Sequence, residues 1–179
     1  MTQAGKVYGG SLYDLAASEQ KTGEIKEQLA AVRQLFSENP DYTRLLSEPS
    51  IPAKDRTALI EEAFGGSCDR YLTNFMKLLC ERNLIREFGA CCDEFTRLYN
   101  VDNNIAEAFV TSAVPLQESQ KEALAKKLSD MSGKKVFLVC RTDPRILGGI
   151  RVELEGKQLD GSVQGRLSGI KKRIDEAAL

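Results

Sequence analysis

Residues 146–163 read ILGGIRVELEGKQLDGSV, and this stretch decides the fold of the second half of the chain. Ile150, Val152 and Leu154 alternate with Arg151, Glu153 and Glu155. That is the period of a strand with one face buried and one face wet. Asp160-Gly161-Ser162 then supplies a turn and a start for a last helix, whose apolar stripe is Val163, Leu167, Ile170 and Ile174. Working back, Asp143-Pro144 marks a turn, and Val136 to Cys140 is a continuous apolar run with the length of a central strand. Leu116, Ala123, Leu124 and Leu128 follow helical spacing up to Ser132-Gly133. Residues 106, 108, 110 and 114 occupy one strand parity. The order is β-α-β-β-α, a small α+β unit over 105–179.

Ahead of Asn103-Asn104 the period is helical almost throughout. Ile25, Leu29, Val32, Leu35 and Phe36 form one stripe, stopped by Asn39-Pro40. A short helical turn carrying Leu45 and Leu46 follows, and Pro52 suits the first position of a helix with Leu59, Ile60 and Phe64 inward, closed by Gly65-Gly66. Ser67 is placed to cap a helix with Leu72, Phe75, Met76 and Leu79. After Arg82-Asn83, Ile85, Phe88, Cys92, Phe95 and Tyr99 continue at three and four steps. Five or six helices joined by short loops over 1–104 predict a helical bundle.

The 179 residues carry 25 basic and 26 acidic groups, 42% hydrophobic residues and no histidine. Such a composition predicts a folded globular chain. The missing imidazole removes Ser/His/Asp and Cys/His catalysis and His-ligated metals. Cys68, Cys80, Cys91, Cys92 and Cys140 are odd in number and lack the CxxC spacing, which points to reduced thiols rather than a disulfide framework or a zinc site. Cys91 and Cys92 are neighbours with Cα atoms about 3.8 Å apart, too close for an ordinary disulfide. No charged-then-apolar leader opens the sequence, and its longest uncharged run, Ala108 to Gln117, is too short to cross a bilayer. The expectation is a protein outside the membrane and the secretory route.

Several candidate sites fall away on spacing. A phosphate loop ending at Gly156-Lys157 would need glycine where Arg151 stands and Ser or Thr where Gln158 stands. Gly161, Gly165 and Gly169 recur every four residues, the wrong interval for a dinucleotide fingerprint and the right one for close packing on one helix face. The pairs Glu61-Glu62 and Asp93-Glu94 diverge around a helix. Lys171, Lys172 and Arg173 with Lys134 and Lys135 form a basic cluster, but the chain as a whole carries a net charge of −1, with no aromatics interleaved. No nucleic acid, cofactor or metal is predicted. The first helix stands apart: Val7, Tyr8, Leu12, Tyr13, Leu15 and Ala16 wrap around much of it, while Gly9, Gly10 and Ser11 keep one side thin. Two explanations fit, a central helix buried on most sides or one wall of a groove that receives a partner's amphipathic helix.

These motifs together resemble a known family, the delta subunit of bacterial and chloroplast F-type ATP synthases, counterpart of the mitochondrial oligomycin-sensitivity-conferring protein. Gly148-Gly149, the strand Ile150 to Leu154 and Asp160-Gly161-Ser162-Val163 resemble its C-terminal signature. Tyr8-Gly-Gly-Ser-Leu-Tyr-Asp-Leu-Ala16 is similar to the opening of its first helix, and Ala113-Val-Pro-Leu116 to the exit from its first strand. Gly9 and Ser11 replace alanines of the pattern, and Gln117 replaces a serine cap. Gly9 and Gly10 together are expected to loosen the first helix.

The resemblance implies a non-catalytic stator subunit serving proton-driven ATP synthesis, with a six-helix N-terminal domain on the catalytic head and a C-terminal domain on the peripheral stalk. It implies that the N-terminal helix of an alpha subunit lies across the first and fifth helices, near Tyr8, Ser11, Leu12, Leu15, Phe75, Met76 and Leu79. It places Lys171, Lys172 and Arg173 near acidic b-type stalk helices, gives Gly148, Gly149, Asp160 and Gly161 structural roles, and needs no cofactor. The chain would be monomeric alone and reach the cytoplasmic face of the cell membrane, or the stromal side of a thylakoid, only through the complex. The competing expectation is an independent cytosolic adaptor, RNA- or ribosome-associated, using the +3 charge of residues 104–179.

Overall fold

The computed structural model describes residues 2–146 and 148–161. The chain divides into two compact units, with the boundary between Asn100 and Val101. In the first, α1 spans Gln3–Ser18, α2 Thr22–Glu38, α3 Pro40–Leu46, α4 Ala53–Phe64 and α5 Arg70–Glu81, with a 3-10 turn at Ile85–Glu87, and α6, Phe88–Asp102, runs two residues past the boundary. Their ends follow local chemistry. Thr2 accepts from the Gly5 amide to cap α1, and Pro40 opens α3. Two expected starts shift: Pro52 is the cap before α4 rather than its first residue, and Asp69, not Ser67, caps α5 by accepting from the Tyr71 amide.

Ile25, Leu29 and Val32 of α2 meet Leu72, Met76 and Leu79 of α5 and Phe88 and Phe95 of α6 in one core. Each such side chain contributes about 1.5–3 kcal/mol by leaving water. Aromatic rings pack within and against it: the Phe36 ring lies 5.1 Å from Phe88 and 6.1 Å from Phe64, and Tyr13 meets Phe95 edge-on at 5.2 Å. Leu35, expected in the α2 stripe, is 45% exposed, and its neighbour Phe36 packs against the core instead.

In the second unit, β1 (Ile105–Ser112), α7 (Glu118–Ser132), β2 (Lys135–Thr142), β3 (Ile150–Leu154) and β4 (Lys157–Asp160) follow in order. The sheet runs β2-β1-β3-β4. β1 pairs with β2 in parallel and with β3 antiparallel, with Val110 beside both Cys140 and Val152. Ala106, Ala108, Val110, Val136, Val152 and Leu128 of α7 form its core. Gln120 caps α7 from within by accepting the Gln117 amide, and Gly133 ends it with φ 68°.

The expectation for β2 is corrected. It lies at an edge of the sheet, not in the centre, and its second apolar face leaves Phe137 49% exposed. β4 carries no hydrophobic pattern that marks it in the sequence; Glu155 (φ 51°) and Gly156 (φ 77°) make the two-residue turn that folds it back on β3. Gly149, with φ 83°, occupies a backbone region that glycine enters freely just before β3. Asp160 sits at the end of β4, where it reaches Arg151 at 3.5 Å, and the Gly161 amide donates to the Ile150 carbonyl at 2.9 Å. The expected last helix, with Gly165 and Gly169 and with Lys171, Lys172 and Arg173, lies outside the described residues.

Candidate partner-binding groove

On α1, Tyr8, Ser11, Leu12 and Leu15 lie at offsets 0, 3, 4 and 7, and on α5, Tyr71, Asn74, Phe75 and Leu78 repeat those offsets. Each set therefore occupies one face of its helix. The two faces meet in a groove of about 270 Å³ lined by these eight residues. Leu12 (3% exposed) and Phe75 (7%) form its floor, while Leu15 (40%) and Leu78 (39%) stand on the rim. A floor already buried and a rim still wet leave apolar area for a further helix to cover.

Two of the polar side chains of the groove, Ser11 and Tyr71, are held by the protein itself. Ser11 Oγ donates to the Val7 carbonyl at 2.8 Å. Arg70 stacks 4.8 Å from the Tyr71 ring centre and donates to the Tyr71 hydroxyl at 2.9 Å. Lys21, just beyond α1, donates to Asp69 at 2.5 Å and fixes the end of α1 against the start of α5. That hydrogen bond, with the one from the Tyr71 amide, holds the Asp69 carboxyl below the usual carboxylate range.

The structure brings together Tyr8, Ser11, Leu12, Leu15 and Phe75 of the predicted set. Met76 and Leu79 are corrected: both are fully buried and point from α5 into the core, so neither faces the groove. Tyr71, Asn74 and Leu78 take their place. The signal for them was present, because α5 carries two apolar stripes, Leu72-Met76-Leu79 inward and Tyr71-Phe75-Leu78 toward α1.

The thiols provide no nucleophile near this groove. Cys80 is buried and donates to the Leu46 carbonyl, and burial pushes the Cys91 thiol up to about 11 and Cys92 to about 12. Among the described residues no cluster of acidic and thiol side chains could hold a metal ion, and no helix is long and apolar enough to cross a membrane.

The helical unit thus carries an open apolar groove, and a unit built on a mixed sheet follows it in the chain. The family model described as ATP synthase delta (OSCP) subunit matches residues 4–174. ATP synthase subunit delta of Desulforudis audaxviator is 32% identical over 169 residues, covering 94% of this chain and 93% of the relative. The subunit delta of Picosynechococcus sp. is 32% identical over 171 residues, covering 95% and 92%. A chain of the Toxoplasma gondii mitochondrial ATP synthase hexamer, solved by cryo-EM, shares the fold with a TM-score of 0.72, 16% identity and coverage of 97% and 98%. The chain belongs to the ATP synthase delta (OSCP) subunit family, the non-catalytic stator subunits of F-type ATP synthase. ATP synthesis and ion transport are therefore functions of the complex it joins, and the adaptor alternative draws no support from these relatives.

Proposed function

We propose that the groove between α1 and α5 receives the N-terminal helix of an alpha subunit of the catalytic head. Residues 1–104 then serve as the six-helix bundle that sits on the head, and residues 105–179 hold the b-type peripheral stalk. The observation that carries this is the pairing of a buried floor, Leu12 and Phe75, with exposed rim residues Leu15 and Leu78 at helical spacing on both walls. An amphipathic helix laid there buries apolar anchors, and such contacts dissociate slowly, which suits a tether that must withstand rotary torque. The subunit is monomeric alone and reaches the cytoplasmic face of the membrane through the complex. Lys171, Lys172 and Arg173 are the proposed contacts to acidic stalk helices, and raising the salt should weaken that contact.

Calorimetric titration of the full chain with a peptide of the same organism's alpha-subunit N-terminus tests the groove. The expected result is 1:1 binding that is lost in Leu15→Asp and Leu78→Asp, two exposed positions where the variants should fold. Unchanged affinity in both variants would move the head contact elsewhere.

A further inference from the structure

The helical unit has a second concavity, of about 470 Å³, where the end of α2 meets α3 and the 3-10 turn. It is lined by Phe36, Pro40, Thr43, Arg44 and Arg86, none of which belongs to the α1–α5 groove. Its chemistry has one sign. Among the described residues both charged side chains in the lining are guanidiniums, and no carboxylate lines it. Arg86 has no ion-pair or hydrogen-bond partner among the described residues. Arg44 reaches only Asp41, at 3.5 Å, with the two side chains 79% and 93% exposed, a pair that water screens almost completely. The Thr43 hydroxyl is buried without a hydrogen-bond partner among the described residues.

Two uncommitted guanidiniums call for an acceptor that can take several N–H donors, which is the property of a carboxylate. Apart from the Thr43 hydroxyl, the rest of the lining is apolar. The ring of Phe36 is half-buried and Pro40 lies beside it, so a bare inorganic anion would leave half of the site unused. An Asp or Glu next to an apolar residue in a peptide uses both halves. We propose that this pocket is a second docking site, which takes an acidic segment of another subunit of the assembly, its carboxylate on Arg44 and Arg86 and its apolar neighbour on Phe36 and Pro40. It gives the helical unit two points of attachment on different helices, and two weak contacts on one rigid body bind more tightly than either alone. This inference uses the family assignment and is independent of what fills the α1–α5 groove.

The test is a titration of the isotope-labelled full chain with a capped heptapeptide carrying one Glu between leucines, followed by amide shifts. Saturable shifts at Phe36, Thr43, Arg44 and Arg86 are expected, persisting in excess inorganic phosphate. The Gln version of the peptide, and the Arg44→Gln/Arg86→Gln chain, should bind about tenfold or more weakly. Both arginines are exposed, so the variant's melting curve should match the parent's. Absence of shifts, shifts centred elsewhere, or equal binding of the Gln peptide would overturn the proposal. Reproduction of the shifts by phosphate alone would also overturn it, by making the pocket a simple anion site.

Discussion

Gly9 of α1 lies against the backbone of Cys91 in α6, so closely that a Cβ built on Gly9 would stand 2.5 Å from the Cys91 carbonyl oxygen. One turn earlier a Cβ on Gly5 would stand 2.6 Å from that of Ala90. The two helices touch along the Gly5-Gly9 notch, and Leu12, Tyr13 and Ala16 continue the buried face. The notch therefore positions the α1 wall of the groove. The expected loosening of α1 by Gly9 and Gly10 is offset at Gly9, where the close contact recovers what the missing side chain gives up in helix propensity.

Replacing the two neighbouring glycines should separate these effects. Gly9→Ala must push α1 from α6 and should cost about 1–3 kcal/mol, as overpacking does. Gly10 has only the end of the Leu98 side chain within 4.0 Å, so Gly10→Ala should stabilise by about 0.5–1 kcal/mol. Urea unfolding of both variants measures this, and equal effects would contradict the packing described.

Arg56 is 4% exposed, yet no carboxylate among the described residues pairs with it. It donates to the carbonyls of Leu46 at 2.9 Å, Ile51 at 3.1 Å and Cys80 at 3.5 Å, gathering the ends of α3 and α5. Arg56→Met should cost about 2–4 kcal/mol, because it leaves buried carbonyls unpaired. Arg56→Lys should recover little, since one ammonium does not span three acceptors. A loss below about 1 kcal/mol for Arg56→Met in denaturant unfolding would refute this role.

Thiol reactivity should follow burial. Cys140 is exposed and Cys68 half-buried, while Cys80, Cys91 and Cys92 are buried. In the native protein a chromogenic disulfide reagent should modify Cys140 first and Cys68 slowly, with the other three reacting only on unfolding. Rapid labelling of Cys91 or Cys92 would show that α6 opens readily.

Acid should weaken the helical unit through two carboxylates. Lys21 chiefly holds Asp69 below the usual range, and Arg97 does the same for Glu94. A depressed folded value means that the stabilisation is complete above the unfolded value, about 4, and is lost as the pH falls through the folded one. Asp69→Asn should therefore be less stable than the parent at about pH 6, and the two curves should converge in acid. A difference that stays constant with pH would exclude this linkage.

Legibility in the sequence followed how cleanly each face is buried. β3 was readable because Val152 is inside while Arg151 and Glu153 are wet. β2 was misplaced because a run apolar on both faces looks the same whether both faces are covered or one, with Phe137, stays open. β4 is exposed at all four residues and carries no hydrophobic pattern. The α1 wall of the groove was readable from its excess of apolar residues. The α5 wall was half readable, because its two stripes differ by one step around the helix and only packing shows that Phe75 and Leu78 face α1 while Met76 and Leu79 face the core.

The α1–α5 groove of the assembled enzyme is predicted to hold the alpha-subunit N-terminus. A photo-crosslinking side chain at position 78, on the groove rim, tests it most directly in intact ATP synthase, with one at exposed Glu122 of α7 as reference. Crosslinking of position 78 to the alpha-subunit N-terminus, and of position 122 to a different segment or to none, is the predicted result. Crosslinking of position 78 to another subunit, or its failure in a fully assembled complex, would contradict the account.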